Sequence, residues 1–423
     1  MWISSDPKGE RAETFTVRLS NASDAVIDDA VGTVTILNDD RTREHGKPST
    51  VIEMDPMPRS KEEGDGGGVE PPDPAAVPPR PVFELTTSPH FAAWLGGHRA
   101  SLAFTTYQTG KLFLIGIQPN GRLSIFERTL ERVMGLHATA STLWLSTLYQ
   151  VWRFENALSA GESFQGYDAV YTPRESRVTG ELDVHDIAVD DEGRVLFSNT
   201  LFNCVATLDP HHSFRPVWKP QFISRLVPED HCHLNGLALR DGKLRYVTAV
   251  SRSDVTDGWR DKRRTSGVVV DVATNEVVCE GLSMPHSPRW YRENLWLIDS
   301  GSGYFGRVDL EKRSFERLVF CPGFARGLAF LGDHAIVGLS DRRENRTFQD
   351  LELEENLAKH DAEARAGLVV ADLRTFTTPH WLRLGGVVRE LYDVGVLEGI
   401  LRPMAVGFRT DEIRRYISFP REG

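Results

Sequence analysis

The stretch His233-Leu-Asn-Gly-Leu-Ala-Leu239, followed by Leu244-Arg-Tyr-Val-Thr-Ala-Val250, decides how this chain is read. Two short apolar runs flank the turn signal Asp241-Gly242, a strand–turn–strand pattern. The unit recurs along the chain. Its first halves are RVMGLHA, DVHDIAV, HLNGLAL, MPHSPRW, FARGLAF and LYDVGVL, marked by Met134, His185, Asn235, His286, Arg326 and Asp393. Five second halves follow in step: LWLST from Leu143, VLFSNT from Val195, LRYVTAV from Leu244, LWLIDS from Leu295 and AIVGLS from Ala335. The sixth, LAFTTY from Leu102, lies near the start. A spacing of about 40–50 residues is that of a four-stranded propeller blade. The last step is longer because a charged insertion, with a helical candidate from Asp350 to Ala366, interrupts it.

The offset ends give the repeat a way to close. The run Leu391–Leu397 has no following partner, and Ala100–Ile125 lacks a good preceding one. Pairing them builds a sixth blade from both chain ends and removes the edges an open array would expose. The predicted fold is all-β, a six-bladed β-propeller over residues 83–423. A β-sandwich of irregular repeats is the rival.

Residues 1–40 carry two β-type runs, Phe15–Leu19 and Val31–Leu37, too little chain to bury a core alone. Their order, E-x-F-x-V-x-L and later V-T-I-L-N-D-D, resembles the C-terminal half of a Calx-β domain. That resemblance implies a partial β-sandwich fragment, with Glu13, Asp39 and Asp40 where the family carries acidic residues. Residues 41–82, with Gly64–Gly68 and EPPDPAAVPPRP, read as a disordered linker.

Composition excludes some roles. The chain has 423 residues, 49 Lys and Arg against 60 Asp and Glu, and a net charge of −11. With no basic stripe, nucleic acid and anionic membranes are poor partners. No apolar run is long enough for a transmembrane helix, and the first residues lack a signal-peptide pattern. A surface or extracellular setting stays open if sequence precedes Met1. Cys204, Cys232, Cys279 and Cys321 form no C-x-x-C pair and read as buried free thiols.

In a propeller, equivalent positions on the innermost strands face one another around the axis. Met134, His185, Asn235, His286, Arg326 and Asp393 are therefore predicted to ring one mouth. His185, His286 and Asp393 have the donor types for a divalent metal ion, which would polarise a carbonyl or activate water. Without metal, a His could serve as base while Arg326 holds an anion. The third alternative is a structural ring hydrogen-bonded within itself and to water. Asp299 ends an inner run and could face the same mouth; Asp186 reads as structural. His231 and His233 are a metal pair or loop anchors. GSGYFG (Gly301–Gly306) reads as a hairpin, and Trp218, Trp259, Trp290 and Trp296 as inter-blade packing.

The strings VTGELDVHDIAVDDEG, PEDHCHLNGLAL, GLSMPHSPRWY, LWLIDSGSG and PGFARGLAF resemble a bacterial family of conserved hypothetical proteins, over about Ser88 to Pro403. More remotely, NGL at Asn235 looks like the six-bladed gluconolactonase and regucalcin group, whose channel metal is held by Glu, Asn and Asp. That group's channel Asp falls on His286 here, and its Glu has no counterpart that can be placed. The function expected is a channel-mouth site for a small polar or anionic ligand, with hydrolase or lactonase chemistry as its extension. The alternative is a non-enzymatic module that binds a protein partner within a larger surface protein.

Overall fold

The computed structural model describes residues 13–18, 31–36, 51–52, 83–341 and 350–419. The chain divides into two compact units, residues 75–413 and residues 1–74 with 414–423.

The larger unit is the six-bladed propeller, and each blade is an antiparallel meander. Blade 1 runs from Leu136–Ala138 to Ala169–Val178, and blade 2 from Val184–Val189 to Arg215–Trp218. Blade 3 runs from Leu234–Arg240 to Val277–Leu282, and blade 4 from Pro285–Tyr291 to Ser314–Phe320. Blade 5 runs from Phe324–Leu331 to His380–Gly386. The first strand named in each is innermost. Alternation along the strands sends one face of each blade to the preceding blade and the other to the following one. Leu196 and Val205 of blade 2 thus pack against Leu237 and Val247 of blade 3. Trp296 and Phe305 of blade 4 pack against Leu328 and Val337 of blade 5. Each such side chain contributes about 1.5–3 kcal/mol.

Blade 6 closes the ring as the offset repeat requires. Val394–Glu398 is its inner strand and pairs antiparallel with Ala100–Thr106, Val394 opposite Phe104 and Glu398 opposite Ala100. Two further strands cover outer edges that the repeat does not account for. Phe83–Thr87 pairs with the outer strand of blade 5, and Pro403–Ala405 runs parallel to Ala169–Tyr171 in blade 1. Both remove exposed ladder groups.

The insertion of blade 5 contains the helix Glu352–Lys359, shorter than the expected span, with three acids in its first turn where the helix dipole favours them. A second helix, Phe91–Gly97, buries Phe91 and Leu95 and had no clear periodic signal.

In the smaller unit Glu13–Arg18 pairs antiparallel with Val31–Ile36, the two runs read as strands. Two strands alone do not define a Calx-β sandwich, and Asp39 and Asp40 lie outside the described residues. The expected linker, 41–82, also lies outside them apart from Val51–Ile52. That dipeptide pairs with Ile417–Ser418, so strand replaces expected disorder there.

Ending the chain after Arg389 removes the inner strand of blade 6 and leaves Ala100–Thr106 unpaired on that side. The expected outcome is loss of a single cooperative thermal transition, with aggregation on size-exclusion chromatography. A chain ending after Thr410 keeps the cooperative transition.

Candidate functional site

The chain approaches the inner strand of four successive blades through the same unusual backbone. Arg132, Asp183, His233 and Met284 all have positive φ, between 49° and 54°. Each lies two residues before Met134, His185, Asn235 or His286. Left-handed backbone costs a non-glycine residue roughly 1–2 kcal/mol. Four such residues in equivalent places point to a shared geometric demand. At His185 and His286 the demand is visible. The carbonyl of Asp183 lies 2.9 Å from His185 Nδ1, and that of Met284 lies 2.8 Å from His286 Nδ1.

A hydroxyl completes each clamp. Thr200 Oγ1 lies 2.9 Å from His185 Nδ1, and Ser300 Oγ lies 2.8 Å from His286 Nδ1. Both hydroxyls donate onward, to the carbonyls of Leu234 and Ala325 in the next blade. The protons must therefore sit on Nδ1 of both imidazoles, which leaves Nε2 as an acceptor. Burial pushes His185 down to about 4 against the pull of Asp183, with His233 and Arg326 adding to the depression. Burial, then Arg326, His185 and His233, hold His286 well below the usual range.

The remaining mouth positions extend this ring. Asn235 Oδ1 accepts from Thr248 Oγ1 at 2.8 Å. The Arg326 guanidinium lies 5.0 Å from the ring centres of both Phe324 and Tyr392. Met134 is buried and bonds through its backbone to Ser146 and Thr105. In blade 6 the register differs by one from the repeat read in the sequence. Asp393 N donates to Thr105 Oγ1 just as Asp186 N donates to Ser198 Oγ and Gly135 N to Ser146 Oγ. Asp393 is thus the counterpart of Asp186, and Tyr392 holds the place of His185 and His286. The cause is that LYDVGVL can be aligned on Asp393 or on Tyr392 with equal apolar fit.

The correct register exposes an alternation one residue deeper. Blades 1, 3 and 5 carry glycine there: Gly135, Gly236 and Gly327. A Cβ on Gly236 would lie 2.4 Å from Pro288 Cδ, and Gly327 has φ 75°. Blades 2, 4 and 6 carry Asp186, Ser287 and Asp393. Each of these accepts a backbone N–H from the next blade: Asp186 from Leu237, Ser287 from Gly327 and Asp393 from Leu136. Arg289 of blade 4 reaches both carboxylates, at 2.8 and 3.0 Å from Asp186 and 3.7 Å from Asp393. Burial outweighs Arg289 at Asp393 and raises its carboxyl above the ordinary range. Below the mouth, then, the axis is crossed by an ion-paired arginine.

Among the described residues no three His, Cys, Asp or Glu side chains converge to hold a metal ion. Asp299 belongs to a turn instead, accepting from Ser283 N and Ser302 Oγ, with its carboxyl pushed up to about 6 by burial. His231 anchors loops between Glu229 and Asp254. His233 joins the mouth: its ring lies 4.8 Å from His185 and stacks at 4.1 Å on Trp259. Trp259 packs with Val250, Met284 and Phe324 of successive blades and also lies against His233, while Trp218, Trp290 and Trp296 pack between blades. GSGYFG forms the tight turn into Tyr304–Asp309, and all four cysteines are buried and free.

Sequence reasoning missed Tyr392, Arg132, Asp183, Arg289 and the contact of Trp259 with His233. Arg132 and Asp183 occupy the same column two places before the mouth residue and form an ion pair of 2.9 Å. That column was the available signal. Trp259 arrives on a non-repeating loop and had none.

Fold and site together define a six-bladed propeller with a polar, histidine-bearing channel mouth. The chain belongs to the family described as Domain of unknown function (DUF4915), whose model matches residues 89–406. No curated protein matches it. Among solved structures, a chain of a nidogen/laminin complex is similar at 12% identity and TM-score 0.45, covering 70% of this chain and 98% of that one. Virginiamycin B lyase from Staphylococcus aureus is similar at 10% identity and TM-score 0.34, covering 72% and 100%. A structure described as a gluconolactonase is similar at 11% identity and TM-score 0.35, covering 61% and 89%. None of these likenesses assigns an activity to this chain.

Two outcomes follow from the network. Asp186→Ala removes the close ion-pair partner of half-buried Arg289 and the acceptor for Leu237 N. It should lower stability by about 3–5 kcal/mol in urea unfolding. The imidazole of His185 is neutral when folded and titrates near 6.5 when unfolded. The unfolded chain binds more protons between these values. This contribution is fully present above about pH 6.5 and is lost as pH falls toward 4, about 3 kcal/mol in all. His185→Gln should flatten that part of the pH–stability profile.

Proposed function

We propose that the channel mouth binds a small polar, anionic ligand. One observation carries this reading. Asn235 Nδ2 and His286 Nε2, on side chains at successive mouth positions and almost wholly buried, have no hydrogen-bond partner within the protein. A buried unsatisfied donor or acceptor costs about 1–3 kcal/mol, so such atoms call for an occupant. The next mouth position supplies Arg326, a buried cation. A cation and an amide donor at one mouth suit an oxyanion. Arg289 and its carboxylates floor the site, so that a ligand is held at the mouth and does not pass along the axis.

Hydrolase or lactonase chemistry would be an extension of this binding site. His286, neutral and with Nε2 bare, has the protonation state of a base. The binding reading does not depend on that extension.

Isothermal titration of the full chain with acetate, lactate, malate and inorganic phosphate tests it. At least one probe should bind, and a ligand present at 100 times its Kd should add about 2.7 kcal/mol of stability. Arg326→Met should weaken binding at least about tenfold, the loss of one charge-assisted contact. Absence of binding by every probe at millimolar concentration, or unchanged affinity in Arg326→Met, would overturn the reading.

A further inference from the structure

We infer that the occupant of the mouth is a hydroxy-carboxylate, an acid that also carries a hydrogen-bond donor close to its charged group. The inference rests on the binding reading above and follows from the direction of each hydrogen bond at the mouth.

The acceptor at His286 is fixed by a relay of four groups. Ser300 Oγ spends its proton on the Ala325 carbonyl at 2.6 Å. It can only accept from His286 Nδ1, whose other neighbour is the Met284 carbonyl. Nδ1 therefore carries the hydrogen, and Nε2 is a bare lone pair. Nε2 is buried and unpartnered. It can be satisfied only by a group that donates.

Asn235 has the opposite polarity. Its Oδ1 is taken by the Thr248 hydroxyl, so Nδ2 has hydrogens to give and no partner within the protein. Arg326, one blade beyond His286, offers only donors and positive charge. The mouth thus asks for two kinds of group from one molecule, an acceptor for Asn235 and a donor for His286, with the positive charge of Arg326 favouring an oxyanion as the acceptor.

A simple carboxylate meets the first demand and fails the second. Its oxygens would face the Nε2 lone pair, acceptor against acceptor. Adding one hydroxyl next to the carboxylate supplies the missing donor without changing the charge. Inorganic phosphate as a dianion also presents mainly acceptors. His185, locked in the same tautomer by Asp183 and Thr200, offers a second acceptor toward the same mouth. This favours acids with more than one hydroxyl over those with one.

A site built to hydrogen-bond a hydroxyl rejects the analogue lacking it, here by about tenfold or more. Titration calorimetry with the full chain compares matched pairs: glycolate against acetate, D- and L-lactate against propionate, and malate against succinate. The hydroxy acid of at least one pair should bind about tenfold or more tightly. In His286→Leu that advantage should shrink to about threefold or less. Equal affinity within every pair, with Arg326 still required, would overturn this inference and leave the anion site standing. Binding of no acid at all would overturn both. A hydroxyl advantage that persists undiminished in folded His286→Leu would also overturn the inference, because the donor would then be read elsewhere. If His286→Leu does not fold, the matched pairs on the unaltered protein decide the matter.

Discussion

The inner strands of six blades crowd one axis, and the backbone N–H groups nearest that axis need acceptors in a place with little room. The protein meets this constraint by alternation. Asp186, Ser287 and Asp393 each lend an oxygen to a backbone N–H of the following blade. The intervening blades carry Gly135, Gly236 and Gly327; a Cβ would collide with the neighbouring blade at Gly236 and Gly327 and would fit only tightly at Gly135. A buried polar group left unpaired costs more than one hydrogen bond gains, so this arrangement constrains every residue nearby. The six-fold repeat is in effect three pairs of blades.

The mouth inherits the same pairing. Rings stand at His185, His286 and Tyr392, in the blades that lend an acceptor. Met134, Asn235 and Arg326 stand in the blades that carry glycine. Two of the rings are held by one device, a left-handed residue two places earlier and a hydroxyl bonded to the next blade. Strain at Asp183 and Met284 is offset by bonds that fix the imidazoles in one tautomer. The fold thereby sets acceptors in the mouth beside the donors of Asn235 and Arg326, a preorganised polar surface on a rigid ring.

The floor matters as much as the mouth. Arg289 spans from blade 4 to carboxylates of blades 2 and 6. Its charge keeps Asp186 and Asp393 compatible at close range. It also separates the mouth histidines from the far end of the channel. Electrostatic coupling is visible at His137, whose pKa burial and Arg289 together lower to about 4.

The repeat was legible because blade length, strand period and turn chemistry are local properties. HLNGLAL and its five relatives were enough to give six blades, and the unpaired runs at Leu102 and Leu391 were enough to give the closure. His185, Asn235, His286 and Arg326 were legible as mouth residues for the same reason, since equivalent places in a repeat become neighbours around an axis. Tyr392 and Asp393 were not, because a shift of one residue leaves the apolar pattern acceptable and only the hydrogen bond to Thr105 selects the register. Neither the tautomer of His286 nor the partners of Arg289 are local properties. Each depends on a group brought from another blade: the Ala325 carbonyl that takes the Ser300 proton, and the carboxylates of Asp186 and Asp393. Sequence alone determined the ring; the closing of the ring decided which atoms within it were left to bind something else.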